Sequence, residues 1–279
     1  MKIGCGEWGF RDLPMEEHFG ICRTFGFKTM EFGIGGGRTG RLAEELTDAG
    51  IASFLAMGKR YGIRTPFCCI ENDFTLPPAQ HAAMLARTLA SIRLAARLGA
   101  SHVRLFAGFT PASQMTEPLW RQMIAAFAAA DAVCKPLGLL ISIETHGRIT
   151  MHDGAACHEH TVTTDRTALS RLVKELPIRV GFNYDPGNIK AAAPDDRRLC
   201  LDLINDRINY CHLKDWRRKG LGWEALAVGD DDLDYAPLLK QMKFDGVYLI
   251  EYEPTADVED GIGRSLAYLA KISPGYVLA

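Results

Sequence analysis

The sequence lacks several features that would each indicate a particular class of protein. No apolar run reaches the roughly 18 residues of a transmembrane helix, and the opening MKIGCGEWGF lacks the apolar stretch of a signal peptide. The eight cysteines include no Cys-x-x-Cys pair. Cys5, Cys69 and Cys211 fall in strand-like runs, where a small buried hydrophobe is the expected role. We therefore expect a reducing, cytoplasmic setting.

The sequence also lacks a concentration of charge of one sign. Its 32 Lys and Arg and 34 Asp and Glu give a net charge of −2, and the basic residues are dispersed along the chain. Nucleic-acid-binding proteins usually carry a basic face, so the composition argues against such a partner. A hydrophobic content of 47% with 24% charged residues is typical of an ordinary globular protein.

What the sequence does contain is a regular alternation of short β-rich runs with longer segments of helical period. The eight runs are residues 2–5, 29–32, 64–70, 102–106, 139–144, 179–185, 208–213 and 247–251. Such alternation predicts a parallel sheet with right-handed crossovers. Eight units in about 250 residues is the usual size of a (β/α)8 TIM barrel. We predict a single barrel domain over residues 1–279, with a doubly wound open sheet as the rival.

The helical segments carry their own signals. Ala82, Leu85, Leu89, Ile92 and Ala96 recur at spacings of three and four, which predicts an amphipathic helix. The segment after residue 115 begins with Thr116 as a candidate N-cap and ends near Gly138. Two stretches, residues 146–164 and 214–235, follow strands and are too long for simple turns. In a barrel both would lie at the rim where active-site loops belong.

The last four predicted strands each end near a side chain that can bind a metal. These side chains are Glu144 in LLISIETH, Asp185 in VGFNYD, His212 in INYCHLKD and Glu251 in VYLIEYE. Asp before Pro-Gly is also common turn chemistry, so Asp185 alone would indicate only a turn. The carboxyl ends of barrel strands converge on the axis, however, and converging carboxylates repel one another unless a cation lies between them.

These four side chains together predict a metal site. One imidazole with three carboxylates suits Mn²⁺, Mg²⁺ or Co²⁺ better than structural Zn²⁺. A cation that binds a carbonyl oxygen and a neighbouring hydroxyl would stabilise an enediolate, and a glutamate could then move the proton. Return of the proton to the adjacent carbon gives isomerisation, and return to the opposite face of the same carbon gives epimerisation. Loss of a β-hydroxyl would instead give dehydration.

The chain resembles the xylose isomerase-like TIM barrels of sugar isomerases and epimerases, which include tagatose 3-epimerase and inosose dehydratase. The resemblance extends from IGCGEWGF through GFKTMEFG and HVRLFAG, and its most specific pieces are IETHG, NYDPGN, HLKD and IEYE. It implies that Glu144, Asp185, His212 and Glu251 are the metal ligands, with Glu144 and Glu251 also handling protons. A divalent-metal-dependent sugar isomerase or epimerase is therefore the leading hypothesis, and a lyase acting on an inosose or a sugar acid is the alternative.

Two departures from the family pattern are visible. Several epimerases of the family carry a His three residues after the sixth-strand Asp, where this chain has Asn188. Many relatives have a Gly-x-Gly segment after the seventh strand, but here Gly229 is kept and Asp231 replaces the second Gly. An endonuclease IV-like nuclease shares the fold and is a remote alternative. It would need extra histidines, which the ends of the third and fourth strands lack.

Further residues near the predicted strand ends are candidates for binding the substrate. Lys214, two residues after His212, faces the same way in an extended strand, but it could equally form an ion pair with Asp215 or Glu251. The full set of substrate-binding candidates is Lys214, His146, Asn188, Arg217, Arg218, Glu7 and Trp8. For each, solvent exposure or simple packing is the competing interpretation.

Two other motifs and the expected partners complete the predictions. His152, His158 and His160 in HDGAACHEH offer a rival metal site, but without regular spacing. The glycines at 35–37 lack the Gly-Lys-Ser/Thr of a phosphate loop and indicate a rim loop instead. We expect a small carbohydrate as the partner, with no nucleic acid, no membrane and no organic cofactor. Barrels of this size often form homo-oligomers, and the sequence leaves the oligomeric state open.

Overall fold

Eight parallel strands form the centre of the protein in a computed structural model that describes all of residues 1–279. Strands are numbered along the chain, and those of the barrel are β1 (Lys2–Cys5), β2 (Thr29–Ile34), β3 (Arg64–Ile70), β4 (His102–Leu105), β5 (Leu140–Glu144), β8 (Gly181–Tyr184), β9 (Ile208–Leu213) and β12 (Val247–Ile250). Each coincides with a predicted run to within about two residues at either end.

The sheet closes on itself, because the last barrel strand pairs with the first. Ile3 lies opposite Tyr248 and Cys5 opposite Ile250 in this parallel pairing. The predicted (β/α)8 TIM barrel is therefore confirmed, and the open sheet is wrong. A short final strand, β13 (Val277–Leu278), adds to the other side of β1.

Nine helices surround the barrel and follow its strands. They are α1 (Met15–Phe25), α2 (Asp48–Tyr61), α3 (Pro78–Arg97), α4 (Glu117–Cys134), α5 (Arg166–Glu175), α6 (Pro186–Ala192), α7 (Leu201–Ile204), α8 (Tyr235–Gln241) and α9 (Val258–Ile272). The Thr116 hydroxyl caps α4 by accepting from the Leu119 N–H, as predicted. The helices bury their apolar faces on the outer face of the sheet in one core of 57 buried residues. None of them combines the length and apolar character that a membrane span needs.

The two long stretches at the rim fold as β-hairpins, where the sequence predicts loops. The first pairs β6 (Arg148–His152) with β7 (Ala155–Glu159), and the second pairs β10 (Asp215–Lys219) with β11 (Gly222–Leu226). The hairpins join through a β11–β7 pairing into a four-stranded sheet beside the barrel mouth. The Asp153-Gly154 turn has positive φ at both residues, which is the geometry of a two-residue hairpin turn.

The segment NYDPGN connects β8 to α6 in a turn with no space for a side chain at its glycine. A Cβ at Gly187 would lie 2.3 Å from the backbone oxygen of Lys214, at the end of the neighbouring strand. Gly20, within α1, has no atom within 4 Å of a Cβ built there. The two glycines therefore allow a matched comparison.

We expect Gly187→Ala to lower the free energy of unfolding by about 1–3 kcal/mol, because two backbone segments must separate. Gly20→Ala should raise it by up to about 1 kcal/mol, since alanine reduces the conformational freedom of the unfolded chain and favours the helix. Urea denaturation of both variants measures the difference. Equal effects of the two substitutions would contradict the close contact between α6 and β9.

Candidate active site

Four side chains of types that can bind a metal meet at the carboxyl ends of the barrel strands. Glu144 is the last residue of β5, Asp185 follows β8, His212 lies in β9 and Glu251 follows β12. One ligand atom from each lies within 4.8 Å of the others, and none of the four side chains is more than 2% exposed. The convergence expected from the sequence is therefore present in the structure. We call these residues the carboxylate cluster.

Asp185 has two structural roles, one for each of its oxygens. Its Oδ1 accepts from the Asn188 N–H at 2.9 Å and caps α6, while its Oδ2 accepts from the Asn188 amide at 3.0 Å. The same amide donates to Glu144 Oε1 at 3.2 Å, and Trp216 Nε1 donates to the Asn188 oxygen at 3.2 Å. Asn188 therefore holds two members of the cluster in place.

His212 is oriented by a buried glutamate on the opposite side of the barrel. Glu31 of β2 lies 2.9 Å from Nε2 of His212, and the Tyr210 hydroxyl also donates to Glu31. Nδ1 faces the cluster, 3.1 Å from the Asn183 amide nitrogen, 3.3 Å from Glu251 Oε2 and 3.7 Å from Glu144 Oε1. A carboxylate on the far nitrogen is the usual support for a metal-binding histidine, since it fixes the ring orientation.

Two buried cations adjoin the glutamates of the cluster. Arg104 of β4 places Nε 3.0 Å from Glu144 Oε2 but without hydrogen-bond alignment. Lys214, just after β9, places Nζ 2.5 Å from Glu251 Oε2 and 2.8 Å from Glu253. Each proton-handling candidate thus has a positive charge beside it.

The fully buried charges at this site do not cancel. Four carboxylates (Glu31, Glu144, Asp185 and Glu251) face Arg104, Lys214 and His212. Burial would lower the pKa of His212, but Glu251 and Glu31 raise it well above its ordinary value, so the imidazole adds a positive charge and carboxylates still outnumber cationic groups by four to three. The nearby Glu7 is paired with Arg41 and does not alter this balance. A divalent cation bound in place of the imidazole proton would offset the remaining negative charge.

The pKa values of the cluster reflect the same imbalance. Burial, together with the charges of Glu251 and Glu144, raises the pKa of Asp185 to about 7, although Lys214 and His212 act to lower it. Burial would also raise the pKa of Glu251, but His212 and Lys214 hold it well below its usual value. Arg104 outweighs burial in the same way and lowers the pKa of Glu144. The site attracts positive charge at Asp185 and keeps both glutamates ionised.

The residues fit a divalent cation by their chemistry as well as by their charge. Glu144 Oε2 and Glu251 Oε2 are buried beside Arg104 and Lys214, but neither oxygen accepts a well-aligned hydrogen bond, which is uncommon for buried carboxylates. Three carboxylates and one imidazole are ligands that several divalent metals accept. Glu144, Asp185, His212 and Glu251 would hold the ion, and Glu31 and Asn188 would support its ligands.

A cavity of about 260 Å³ opens above the cluster. Its lining is formed by Trp8, Glu71, Arg104, Phe106, Phe109, Glu144, His146, Ile149, Lys214, Glu251 and Glu253. Three aromatic rings form part of the wall, and Trp8 is fixed there by donating Nε1–H to Glu253 at 2.7 Å. His146 packs edge-on against Phe106 and Phe109. The predicted candidates Trp8, His146 and Lys214 therefore all line one cavity.

The other predicted substrate-binding residues lie elsewhere. Glu7 is buried beneath the cavity, where its backbone N–H donates to Glu31 at 2.9 Å and its carboxylate pairs with Arg41. Burial raises the pKa of Glu7 to about 7. Asn188 contacts the cluster rather than the cavity.

Arg217 and Arg218 lie on the β10–β11 hairpin and are exposed. Arg217 pairs with Glu224 on the facing strand, and the Arg218 guanidinium lies 5.0 Å from the Trp223 ring centroid. Neither reaches the cavity lining, because the segment that carries them forms a hairpin instead of a loop that folds over the barrel mouth.

The histidine-rich segment does not form a second metal cluster. His152 is exposed beside Asp153 at the hairpin turn, and His158 packs edge-on against Trp216. His160 contacts the backbone oxygen of Thr164. His152 ends β6, His158 lies within β7 and His160 follows β7, and the three rings have different partners. The rival site of three histidines is therefore not assembled.

The sequence analysis missed Glu31 and Arg104 as site residues. Both are charged residues inside otherwise apolar runs, TMEFG and HVRLF, and both are buried. A buried charge in a barrel strand must find a partner, so its position alone was a usable signal.

Comparison with known proteins agrees with this architecture. Residues 19–272 match the protein-family model described as xylose isomerase-like TIM barrel. Comparison with curated protein sequences finds no match.

Among solved structures, the IolI protein with a bound zinc atom is similar over 100% of both chains, with 14% identity and a TM-score of 0.78. A 3-keto-D-glucoside 4-epimerase from E. coli shares 17% identity over 97% of this chain and 99% of its own, with a TM-score of 0.70. A xylose isomerase-like protein from Mycobacterium smegmatis in complex with magnesium shares 15% identity over 97% and 96%, with a TM-score of 0.74. At these identities the likeness shows the fold alone.

We expect Glu31→Gln to weaken Mn²⁺ binding about 10- to 100-fold, because His212 loses the carboxylate that orients its ring. Calorimetric titration with Mn²⁺ measures the affinity. Glu259→Gln, in an exposed first turn of α9, removes the same charge far from the cluster and should leave the affinity unchanged. Equal affinities of Glu31→Gln and the unsubstituted protein would show that Glu31 does not support the ligand.

Proposed function

The chain belongs to the xylose isomerase-like TIM barrel family, and we propose that it is a divalent-metal-dependent isomerase or epimerase of a small, unphosphorylated sugar or sugar derivative. The observation that carries this proposal is the pairing of two glutamates, Glu144 and Glu251, that belong to the metal-competent cluster and also line the cavity. Groups in that position can touch both a cation and the carbon next to a substrate carbonyl.

The proposed proton transfers follow from the state of these two glutamates. Their neighbours, Arg104 for Glu144 and Lys214 with His212 for Glu251, keep the pKa of each below its ordinary value, so both are ionised at neutral pH. An ionised glutamate can accept the proton of a carbon acid, and a second on another side of the substrate can return one. Removal and return by different glutamates would invert one carbon.

A divalent cation, when bound at the carboxylate cluster, would stabilise the negative charge that develops on a substrate oxygen as the proton leaves. Asp185 and His212 would only hold that cation, because Asp185 is engaged by Asn188 and His212 by Glu31. Since carboxylates dominate the ligand set, we propose Mn²⁺, Mg²⁺ or Co²⁺ in preference to Zn²⁺.

Lys214 is proposed as a substrate-orienting group. Its ammonium lies between Glu251 and Glu253 at the edge of the cavity, and it is 3.7 Å from Asp185. Burial would lower the pKa of Lys214, but Glu251, Glu253 and Asp185 raise it well above its ordinary value, so the side chain stays charged. A charged lysine there can donate to a hydroxyl or carbonyl oxygen of the substrate.

The cavity also suggests which substrates fit. Its volume of about 260 Å³ is below that of most pockets for drug-sized ligands, and the Trp8, Phe106 and Phe109 rings offer apolar surface for the face of a sugar. The cationic residues of the lining, Arg104 and Lys214, are already paired with glutamates. A phosphate group would find no unpaired cationic side chain in the lining, which favours a neutral polyhydroxylated substrate.

We expect solvent deuterium to enter the recovered substrate or the product when ketoses, keto-inositols and sugar acids are incubated in D₂O with Mn²⁺. Exchange at the carbon next to the carbonyl reports proton abstraction directly by mass spectrometry and NMR. Glu251→Gln should reduce the exchange rate by about 10² to 10⁴ because the accepting carboxylate is lost. Glu259→Gln should retain the rate.

Three outcomes would contradict parts of this proposal. Exchange that persists unchanged in Glu251→Gln would remove the assigned role of that residue. Net loss of water from an inosose or a sugar acid would identify a lyase in place of an isomerase. Absence of exchange with every compound, in a protein that binds Mn²⁺, would reject the whole class of chemistry.

We further expect the favoured sugar to lose at least about 10-fold in kcat/KM when it carries a phosphate. The reason is the excess of carboxylates over cations in the cavity lining. Steady-state kinetics with a matched pair of free and phosphorylated sugars measures the ratio. A preference for the phosphorylated sugar would overturn the assignment of a neutral substrate.

A further inference from the structure

A second cluster of metal-competent side chains lies on the outer side of the barrel, between β1 and α1. It consists of Cys5 from the strand with His18 and Cys22 from the helix, and their ligand atoms lie within 4.8 Å of one another. His18 and Cys22 are four residues apart, so they share one face of α1. Each of the three residues is at most 1% exposed. We call this set the Cys–His cluster.

The imidazole of His18 has no hydrogen bond at either ring nitrogen, although it is buried. His212, the other fully buried histidine, has a partner at both nitrogens. Buried polar atoms without partners are rare, because each loses its hydration without compensation. Phe10 stacks on the His18 ring at 3.9 Å and supplies no acceptor. His18 therefore presents an unused donor atom to two sulfur atoms.

We propose that Cys5, His18 and Cys22 form a second, structural metal site that binds one thiophilic d¹⁰ cation. Two sulfur ligands and one imidazole are the donors that such ions prefer over carboxylate oxygens. Each metal–sulfur bond forms on a thiolate, and any proton that a thiol carried passes to solvent. The ion would join α1 to β1 at the start of the barrel.

Zn²⁺ and Cu⁺ both bind sulfur and imidazole ligands, and the three donors suit each ion for a different reason. Zn²⁺ with two thiolates and a neutral imidazole gives a complex with no net charge, which is the form that a buried site tolerates best. Cu⁺ is selected by soft sulfur ligands, and three donors make a complete trigonal set for it. The test therefore includes both ions. The proposal does not depend on the proposed function, because the Cys–His cluster shares no residue with the carboxylate cluster.

The experiment is metal-edge X-ray absorption on the reduced, purified protein loaded anaerobically with one equivalent of Zn²⁺ or of Cu⁺. A sulfur shell at about 2.3 Å for Zn²⁺ reports cysteine ligation and is blind to the carboxylate cluster, which contains no sulfur. We expect two sulfur neighbours and one nitrogen neighbour with at least one of the ions. The melting temperature should rise with the ion that binds.

Matched cysteine variants locate the signal. Cys22→Ser and Cys5→Ser should each remove a sulfur neighbour and weaken binding at least 100-fold. Cys68→Ser and Cys69→Ser should keep both neighbours, and the Cys69 control matters because that thiol lies near Glu31 and His212. Cys22→Ala replaces Cys22→Ser if the serine variant does not fold, as judged by circular dichroism.

The proposal is overturned if neither ion gains a sulfur neighbour, or if the sulfur shell survives in folded Cys22→Ala. It is also overturned if the purified protein contains a Cys5–Cys22 disulfide that reduction and metal cannot replace, which mass spectrometry after alkylation would show. Retention of the sulfur shell in Asp185→Ala, with Mn²⁺ binding lost, would support two independent sites.

Discussion

The structure depends on how it accommodates four buried carboxylates at one end of a closed barrel. Isolated carboxylates cannot be buried there, because loss of hydration and mutual repulsion both raise their free energy. Each is met by a group from another strand: Glu144 by Arg104, Glu251 by Lys214, and Glu31 by His212. Asp185 is compensated least. Only a closed barrel brings these groups from separate strands to one axis, so the fold and the charge arrangement require each other.

The sequence predicted the barrel strands and the carboxylate cluster for a clear physical reason. Strands buried on both faces appear as continuous apolar runs, and a polar residue that ends such a run lies at the rim. Glu31 and Arg104 were missed because they lie within their runs, where only the closed barrel shows which partner they face. The hairpins were missed because β6 and β10 are half exposed and carry mixed residues, although Asp153-Gly154 was a turn signal. The position of Arg217 and Arg218, outside the cavity lining, could be recognised only once the hairpin that carries them was known.

Asp185 in NYDPGN is both a turn residue and a member of the carboxylate cluster, so the two interpretations of this segment are compatible. A carboxylate has two oxygens, and here Oδ1 caps α6 while Oδ2 faces Asn188 and the cluster. Pro186 and Gly187 begin the helix immediately, which brings Asn188 back to within reach of Glu144. Asn188 thus contacts two members of the carboxylate cluster at once.

The two clusters differ in their donor atoms, which would keep the two proposed cations apart. One offers oxygen and imidazole at a cavity, and the other offers sulfur and imidazole behind the strand wall. Hard divalent ions favour oxygen donors and soft ions favour sulfur, so the two ligand sets would select different ions even where both ions can reach both clusters. Strand β1 contributes to both sides, since Glu7 just beyond it contacts Glu31 while Cys5 contacts α1.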